Sequence, residues 1–163
     1  MTKYIFGYGS LINIKYIRQL VNKSRKFYPV QLANHLRHWI YAPDKRIYLG
    51  LYRQDKKLTN GVLIEVDDNE IMLLDKREGY YFREQINRND IVQKYTSFNL
   101  GEDDIIYTYY ADPKKTIKWT FDFDCEISKS YLFKCLGGCI KISSMFFEDF
   151  LLTTKGWGNL ETL

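Results

Sequence analysis

Two glycines bracketing a tyrosine at the end of an apolar run, Tyr4-Ile5-Phe6-Gly7-Tyr8-Gly9-Ser10-Leu11, constrain this chain more than any other stretch. Aromatic and branched residues from Tyr4 to Phe6 favour a strand. The glycines that follow require a sharp turn or a close approach of the backbone to another group. Such a turn leaves its N–H groups pointing outward together, a geometry that binds carboxylates or developing oxyanions. The bland alternative is an ordinary glycine-containing turn at a strand end. Nucleotide loops are disfavoured, because the later glycine of a dinucleotide fingerprint and the Gly-Lys-Ser/Thr of a phosphate loop are both missing. Ser10 lies outside a Gly-x-Ser-x-Gly elbow, so it reads as a hydrogen-bonding ligand and not as a nucleophile.

Periodicity organises the rest into short elements. Ile14, Ile17, Leu20 and Val21 share one helix face, predicting a helix over 14–21. Gln31 to Tyr41, Ile47 to Tyr52 and Gly61 to Val66 read as strands, with Asn60-Gly61 a turn between the last two. Asp67 and Glu70 have capping-box spacing for a helix from about Asp68 to Arg77, with Ile71, Leu74 and Met72 facing inward. Glu78 then falls at the helix end, before Gly79. Tyr81 to Ile86 and Ile91 to Tyr95 predict a hairpin, and Ile105 to Tyr110 a further strand. Ser128 is placed to cap a helix reaching about Leu136 and stopped by Gly137-Gly138. Ser143 or Ser144 is placed to cap another that holds Met145, Phe146, Phe147, Phe150 and Leu151. The expectation is an α+β domain, a small mixed, mainly antiparallel, barrel-like sheet with flanking helices.

At 163 residues the chain fits a single domain spanning 1–163. No run of about 18 apolar residues and no secretory pattern is visible, which predicts a cytoplasmic protein without a membrane partner. The net charge of +4 comes from bases scattered among acids, without the concentrated basic face of a nucleic-acid module, so no nucleic-acid partner is expected. Aromatics at 17% are explained by half-buried sheet positions. Cys125, Cys135 and Cys139 read as reduced, packed thiols, and His35 and His38, three apart on a strand, point to opposite faces; neither set suggests a metal site. Asp122, Asp124 and Glu126 read as a solvated acidic edge.

The Gly7-Tyr8-Gly9-Ser10-Leu11 loop, taken with Leu74-Asp75-Lys76-Arg77-Glu78-Gly79-Tyr80 and the Tyr-x-Arg of Tyr81-Phe82-Arg83, resembles the γ-glutamylcyclotransferase superfamily. Leu11-Ile12 is similar to the glutathione-degrading ChaC-type and related bacterial branches, a difference too small to fix a substrate. The resemblance implies a small mixed barrel with helices beside it, a small-molecule γ-glutamyl substrate, and no metal or organic cofactor. It assigns Gly7, Tyr8, Gly9, Ser10 and Leu11 to holding the γ-glutamyl group and Glu78 to the proton transfer that lets the substrate's α-amine attack its own γ-carbonyl, giving 5-oxoproline. It also implies a late-strand tyrosine beside the substrate. Tyr109 and Tyr110 must face opposite ways on a regular strand, and Tyr110 is taken as the pocket residue. Two alternatives stand beside this reading: Glu78 as an exposed helix-end residue paired with Arg77 or Arg83, and the whole chain as a non-catalytic domain that binds γ-glutamyl or carboxylate ligands. A basic RNA-binding module is a third.

Overall fold

The computed structural model describes residues 1–119 and 127–157. Cys125 and the alternating acids Asp122, Asp124 and Glu126 lie outside the described residues.

The apolar opening forms β1 (Lys3–Gly7), whose residues from Tyr4 onward are buried. Burial on both faces explains its unbroken apolar text, since it lies inside the sheet with a neighbour on each side. It is followed by a 3-10 turn at Ser10–Ile12 and a short α1 (Ile14–Ile17). Asn13 caps α1 by accepting from Tyr16 N and, through Nδ2, donates to Lys134 O at 2.9 Å. That helix is shorter than the periodicity of Ile14 to Val21 predicts.

β2 (Phe27–Tyr41) and β3 (Ile47–Val66) form one long antiparallel ribbon. Two expected strands are thus a single one, and Asn60-Gly61 runs through it in pairing register instead of turning. Tertiary contacts at this dipeptide override its turn preference. Asn60 Oδ1 accepts from Arg37 Nη2 at 2.9 Å and its Nδ2 donates to Phe146 O at 2.8 Å. A Cβ on Gly61 would stand 2.4 Å from Gly7 O and 2.6 Å from the Phe6 ring, so only glycine lets β1 and β3 approach there. A bulge between Ala33 and His35 bends the ribbon; Asn34 and Lys56 take positive φ there, and Lys56 N donates to Asn34 Oδ1 at 3.2 Å.

α2 (Asp68–Arg77) carries the predicted capping box, Glu70 N to Asp67 Oδ1 at 2.9 Å and Asp67 N to Glu70 Oε2 at 2.8 Å. Arg25 locks both carboxylates. Ile71 and Leu74 face inward, whereas Met72 is 62% exposed, because it falls outside the stripe that residues three apart define. The predicted hairpin of Tyr81 to Ile86 with Ile91 to Tyr95 does not form. β4 (Tyr81–Gln85) pairs with β6 (Ile105–Ala111), and the two-residue β5 (Ile91–Val92) pairs with β2. A 3-10 turn at Arg88–Asp90 carries the chain between them.

β6 runs parallel to β1, and β7 (Ile117–Lys118) joins β2. α3 (Lys129–Ile142), capped by Ser128, continues straight through Gly137-Gly138. Gly138 serves packing instead of stopping the helix: a Cβ there would lie 2.8 Å from the Asn13 backbone. α4 (Ser144–Thr153), capped by Ser143, places Phe146 and Phe150 in the core and leads to β8 (Thr154–Lys155), parallel to β2. The strand order is β4-β6-β1-β3-β2-β5, with β7 and β8 also on β2. The fold is therefore α+β with one mixed, mainly antiparallel sheet and flanking helices. Among the described residues nothing pairs β4 with β5, so the barrel-like sheet stays open.

Candidate active site

The loop after β1, the end of α2, the start of β4 and the first turns of α3 converge on one cleft. Its inner slot, about 30 Å³, is lined by Phe6, Tyr8, Gly9, Ser10, Leu11, Leu49, Glu78, Tyr81, Tyr109 and Tyr131. An outer cleft of about 350 Å³ shares the Ser10, Glu78, Tyr81 and Tyr131 walls and widens toward Tyr16, Arg46, Tyr48, Arg77 and Lys134. Loop and carboxylate, some seventy residues apart in the chain, thus face the same space.

Each wall has a local cause. Ser10 and Leu11 open the 3-10 turn, so their N–H groups have no acceptor within it. Gly9 has φ −128°, outside the left-handed region; what its position requires is room, since a Cβ there would lie 2.9 Å from Tyr131 Oη. A Cβ on Gly7 would lie 2.7 Å from Leu11 Cβ. Tyr8 turns its ring inward and donates to Tyr109 O at 2.6 Å. Behind the loop, the fully buried Arg37 donates to Tyr8 O at 3.2 Å, to Asn60 O and Oδ1, to Phe150 O and to the Thr153 and Thr154 hydroxyls. These acceptors are all neutral, and burial draws the guanidinium down to about 10. Arg37 therefore ties the loop to β3 and α4 through hydrogen bonds and, among the described residues, without an ion pair.

Glu78 is the C-cap of α2, where φ −91° and ψ 50° take the chain out of the helix while its N–H still donates to Leu74 O at 3.0 Å. The carboxylate is 13% exposed and paired with Arg77 Nη1. Burial pushes its carboxyl above the usual range, and the Arg77 guanidinium opposes that rise. Arg77 also donates to Ser10 Oγ at 2.9 Å and to Tyr16 Oη at 3.2 Å, joining loop and carboxylate. α2 itself is fastened by Asp75, whose Oδ1 accepts from Tyr109 Oη at 2.7 Å and from Arg83 Nε at 2.8 Å. In the Tyr-x-Arg element Arg83 thus anchors the helix, while Tyr81 donates to Leu49 O at 2.7 Å.

Tyr110 does not line the cleft. Its ring stacks on His35, with Oη 2.7 Å from His35 Nε2, and lies under Arg53. Tyr109 is the late-strand tyrosine at the slot, alternation having sent the two to opposite faces. Sequence reasoning also passed over Tyr131, Tyr16 and Lys134 and took Arg77 only as an ion-pair partner. For Tyr131 a signal existed: Tyr131, Cys135, Gly138 and Cys139 share a helical stripe. Among the described residues no cluster of three or more His, Cys, Asp or Glu is grouped to hold a metal, and no helix is long and apolar enough to cross a membrane.

Arg77→Met removes the cation that opposes the raised Glu78 pKa, so that pKa rises further. A base must be deprotonated to act, and the acidic limb of a kcat/KM profile for any turnover in which Glu78 is the base is therefore expected to move to higher pH. A limb that stays in place or moves down contradicts this coupling.

A glycine-bracketed loop and a largely buried carboxylate lining one slot, carried on a mixed sheet with helices beside it, define the class of α+β proteins to which the fold belongs. Residues 5–120 match the family described as gamma-glutamyl cyclotransferase, AIG2-like, and the chain belongs to that family. Among solved structures it resembles one titled gamma-glutamyl cyclotransferase (TM-score 0.70, 13% identity, 94% of this chain and 88% of that one). It also resembles an uncharacterised human protein (0.64, 14%, 93% and 88%) and YkqA from Bacillus subtilis (0.65, 16%, 93% and 53%). At these identities the likeness is one of fold. No curated protein gives a match.

Proposed function

We propose that this protein cyclises a γ-glutamyl group to 5-oxoproline and releases the attached amine or amino acid. The observation that carries the reading is Glu78, a carboxylate whose acidity is weakened by burial, lining one slot with Ser10 and Leu11, the residues that open the 3-10 turn. The substrate's α-ammonium gives a proton to Glu78, displacing Arg77 as its partner. The freed amine then attacks the γ-carbonyl. One C–N bond forms, closing the five-membered lactam; as the original C–N bond breaks, Glu78 returns its proton to the leaving nitrogen and takes up the second proton that the ring nitrogen sheds, which then leaves with the product amine as its ammonium. Nucleophile and electrophile belong to one molecule, so the enzyme's task is to fold the substrate and relay protons from the attacking to the leaving nitrogen. Loop amides stabilise the negative charge that develops on oxygen. Buried, unpaired thiols at Cys135 and Cys139 suit a reducing compartment, and we place the reaction in the cytoplasm.

The test is 5-oxoproline release from glutathione, γ-glutamyl amino acids and γ-glutamyl amines by the purified protein. Product from at least one class is expected; none from any points to a binding domain instead. Ser10→Ala is expected to weaken binding while leaving measurable turnover, and a serine-directed phosphonate is expected not to label the protein. Both histidine rings are engaged elsewhere, with Ala33 O and Tyr110 Oη or with Trp39 O, and Ser10 Oγ accepts from Arg77. Stoichiometric labelling at Ser10 would overturn cyclisation in favour of acyl transfer.

A further inference from the structure

A buried guanidinium lies behind the loop, and the proton relay through Glu78 has no task for it. Each of the five N–H donors of Arg37 meets a neutral oxygen. Nε donates to Thr154 Oγ1 at 2.7 Å, Nη1 to Asn60 O at 2.6 Å and Tyr8 O at 3.2 Å, and Nη2 to Asn60 Oδ1 at 2.9 Å, Phe150 O at 3.0 Å and Thr153 Oγ1 at 2.9 Å. One face of the guanidinium rests on the Phe150 ring, 3.9 Å from its centre. With its donors used in this way, no N–H is left over for a carboxylate. Neutral acceptors solvate a charge without cancelling it, and in a water-free interior its field carries further than that of a surface cation. Burial draws Arg37 down to about 10, which leaves it protonated at neutral pH.

One peptide unit separates this charge from the slot. The Tyr8 carbonyl that accepts from Nη1 shares its planar peptide with the Gly9 N–H, and Gly9 lines the slot together with Glu78. Drawing electrons toward the oxygen of a peptide makes its N–H a stronger donor. We propose that Arg37 is a positioning residue for the reaction: acting through the Tyr8–Gly9 peptide, its charge strengthens the loop's hold on the negative charge that develops on the γ-carbonyl oxygen. The guanidinium is fixed before the reaction begins, so it favours the transition state without any reorganisation. The ground state carries no such charge, and the effect therefore falls on kcat and not on KM. That oxygen is supplied by the cyclisation reading, on which this inference rests.

Arg37→Met would strand Tyr8 O, Asn60 O and Phe150 O without a donor and is expected to unfold the protein, so the test keeps Arg37 and neutralises it. Thr153 is half-buried at the end of α4. Thr153→Asp brings a carboxylate to Nη2 there, and Thr153→Asn brings its neutral isostere. Asn60→Asp does the same from β3. Thr153→Asp is expected to release 5-oxoproline with a kcat on the order of tenfold below that of Thr153→Asn and a similar KM, less than the 10²–10³ that removing an oxyanion donor outright costs. Asn60→Asp is expected to lower kcat in the same direction against the wild type. An Arg37 that only holds the loop in place predicts otherwise, because an added ion pair preserves its contacts and leaves kcat alone. The carbonyl carbon-13 resonance of Tyr8 and the amide proton resonance of Gly9, recorded without substrate, are expected to move upfield from Thr153→Asn to Thr153→Asp. An unchanged kcat in a folded aspartate variant, or resonances that stay in place, overturns the inference. If the wild type releases 5-oxoproline from no γ-glutamyl compound, the cyclisation reading fails by itself. The two resonances, which need no turnover, then decide whether Arg37 polarises the loop.

Discussion

Glu78→Gln is expected to fold like the wild type and to lose turnover by a factor on the order of 10²–10⁴, the usual weight of a positioned acid-base group. The amide keeps the shape of the carboxyl and can still accept from Arg77, so the contacts around the α2 terminus survive. It cannot take a proton from an α-ammonium, and without that step the amine has no lone pair with which to attack. Burial strengthens the argument: the raised pKa of Glu78 makes it a better base at neutral pH than an exposed glutamate. Removing the negative charge also relieves a desolvation cost, so the variant is expected to melt at or above the wild-type temperature. Melting and 5-oxoproline release measured on one preparation check both statements. Glu84→Gln is the control, because Glu84 lies on an exposed strand face paired with Arg53 at 2.8 Å and is expected to retain most activity. A folded Glu78→Gln with near-wild-type activity would falsify the assignment.

Gly61→Ala is expected to be the most damaging single methyl group in the sheet. The added Cβ meets Gly7 O at 2.4 Å and the Phe6 ring at 2.6 Å, and Phe6 is fully buried, with no space into which to retreat. Overpacking a close-packed core costs roughly 1–3 kcal/mol and sometimes more; because one neighbour here is backbone, the upper end applies. For a chain of this size that corresponds to a fall in Tm on the order of 10 °C. The strain falls on Gly7, the first residue of the loop, so activity measured well below the melting temperature is expected to drop as well. Gly79→Ala is the comparator: its Cβ meets nothing within 4 Å, and the change is expected to stay within about 0.5 kcal/mol of wild type. Equal melting of the two variants would show that β1 and β3 are not held this closely.

Local chemistry carried much of the reading. The capping box of Asp67 and Glu70, the caps at Ser128 and Ser143, and the apolar run ending at Gly7 appear in the structure where their spacing placed them, because each depends on atoms within a few residues along the chain. Glu78 at the end of α2 followed from the same arithmetic. Turn and stop signals failed where glycine had another use. Asn60-Gly61 has the composition of a hairpin turn, yet Gly61 makes room for Phe6 and Asn60 saturates Arg37; Gly137-Gly138 looks like a helix stop, yet Gly138 makes room for the backbone of Asn13. A glycine that permits a turn and one that permits a close approach are the same letter, and only the neighbour across the interface distinguishes them.

What the sequence determined by itself was the two ends of the candidate site: a glycine-bracketed loop after a buried strand, and a glutamate at a helix terminus. Tertiary structure decided the rest. Parallel pairing of β6 with β1 and antiparallel pairing with β4 brought loop and carboxylate to one slot and chose Tyr109 over Tyr110 to face it. Packing of α3 across the loop added Tyr131 and Lys134, and burial turned Arg77 from a helix-end cation into the bridge between Ser10 and Glu78. Those outcomes depend on pairings between residues tens of positions apart, whose energies come from desolvation and cross-sheet contacts that no local window of sequence contains.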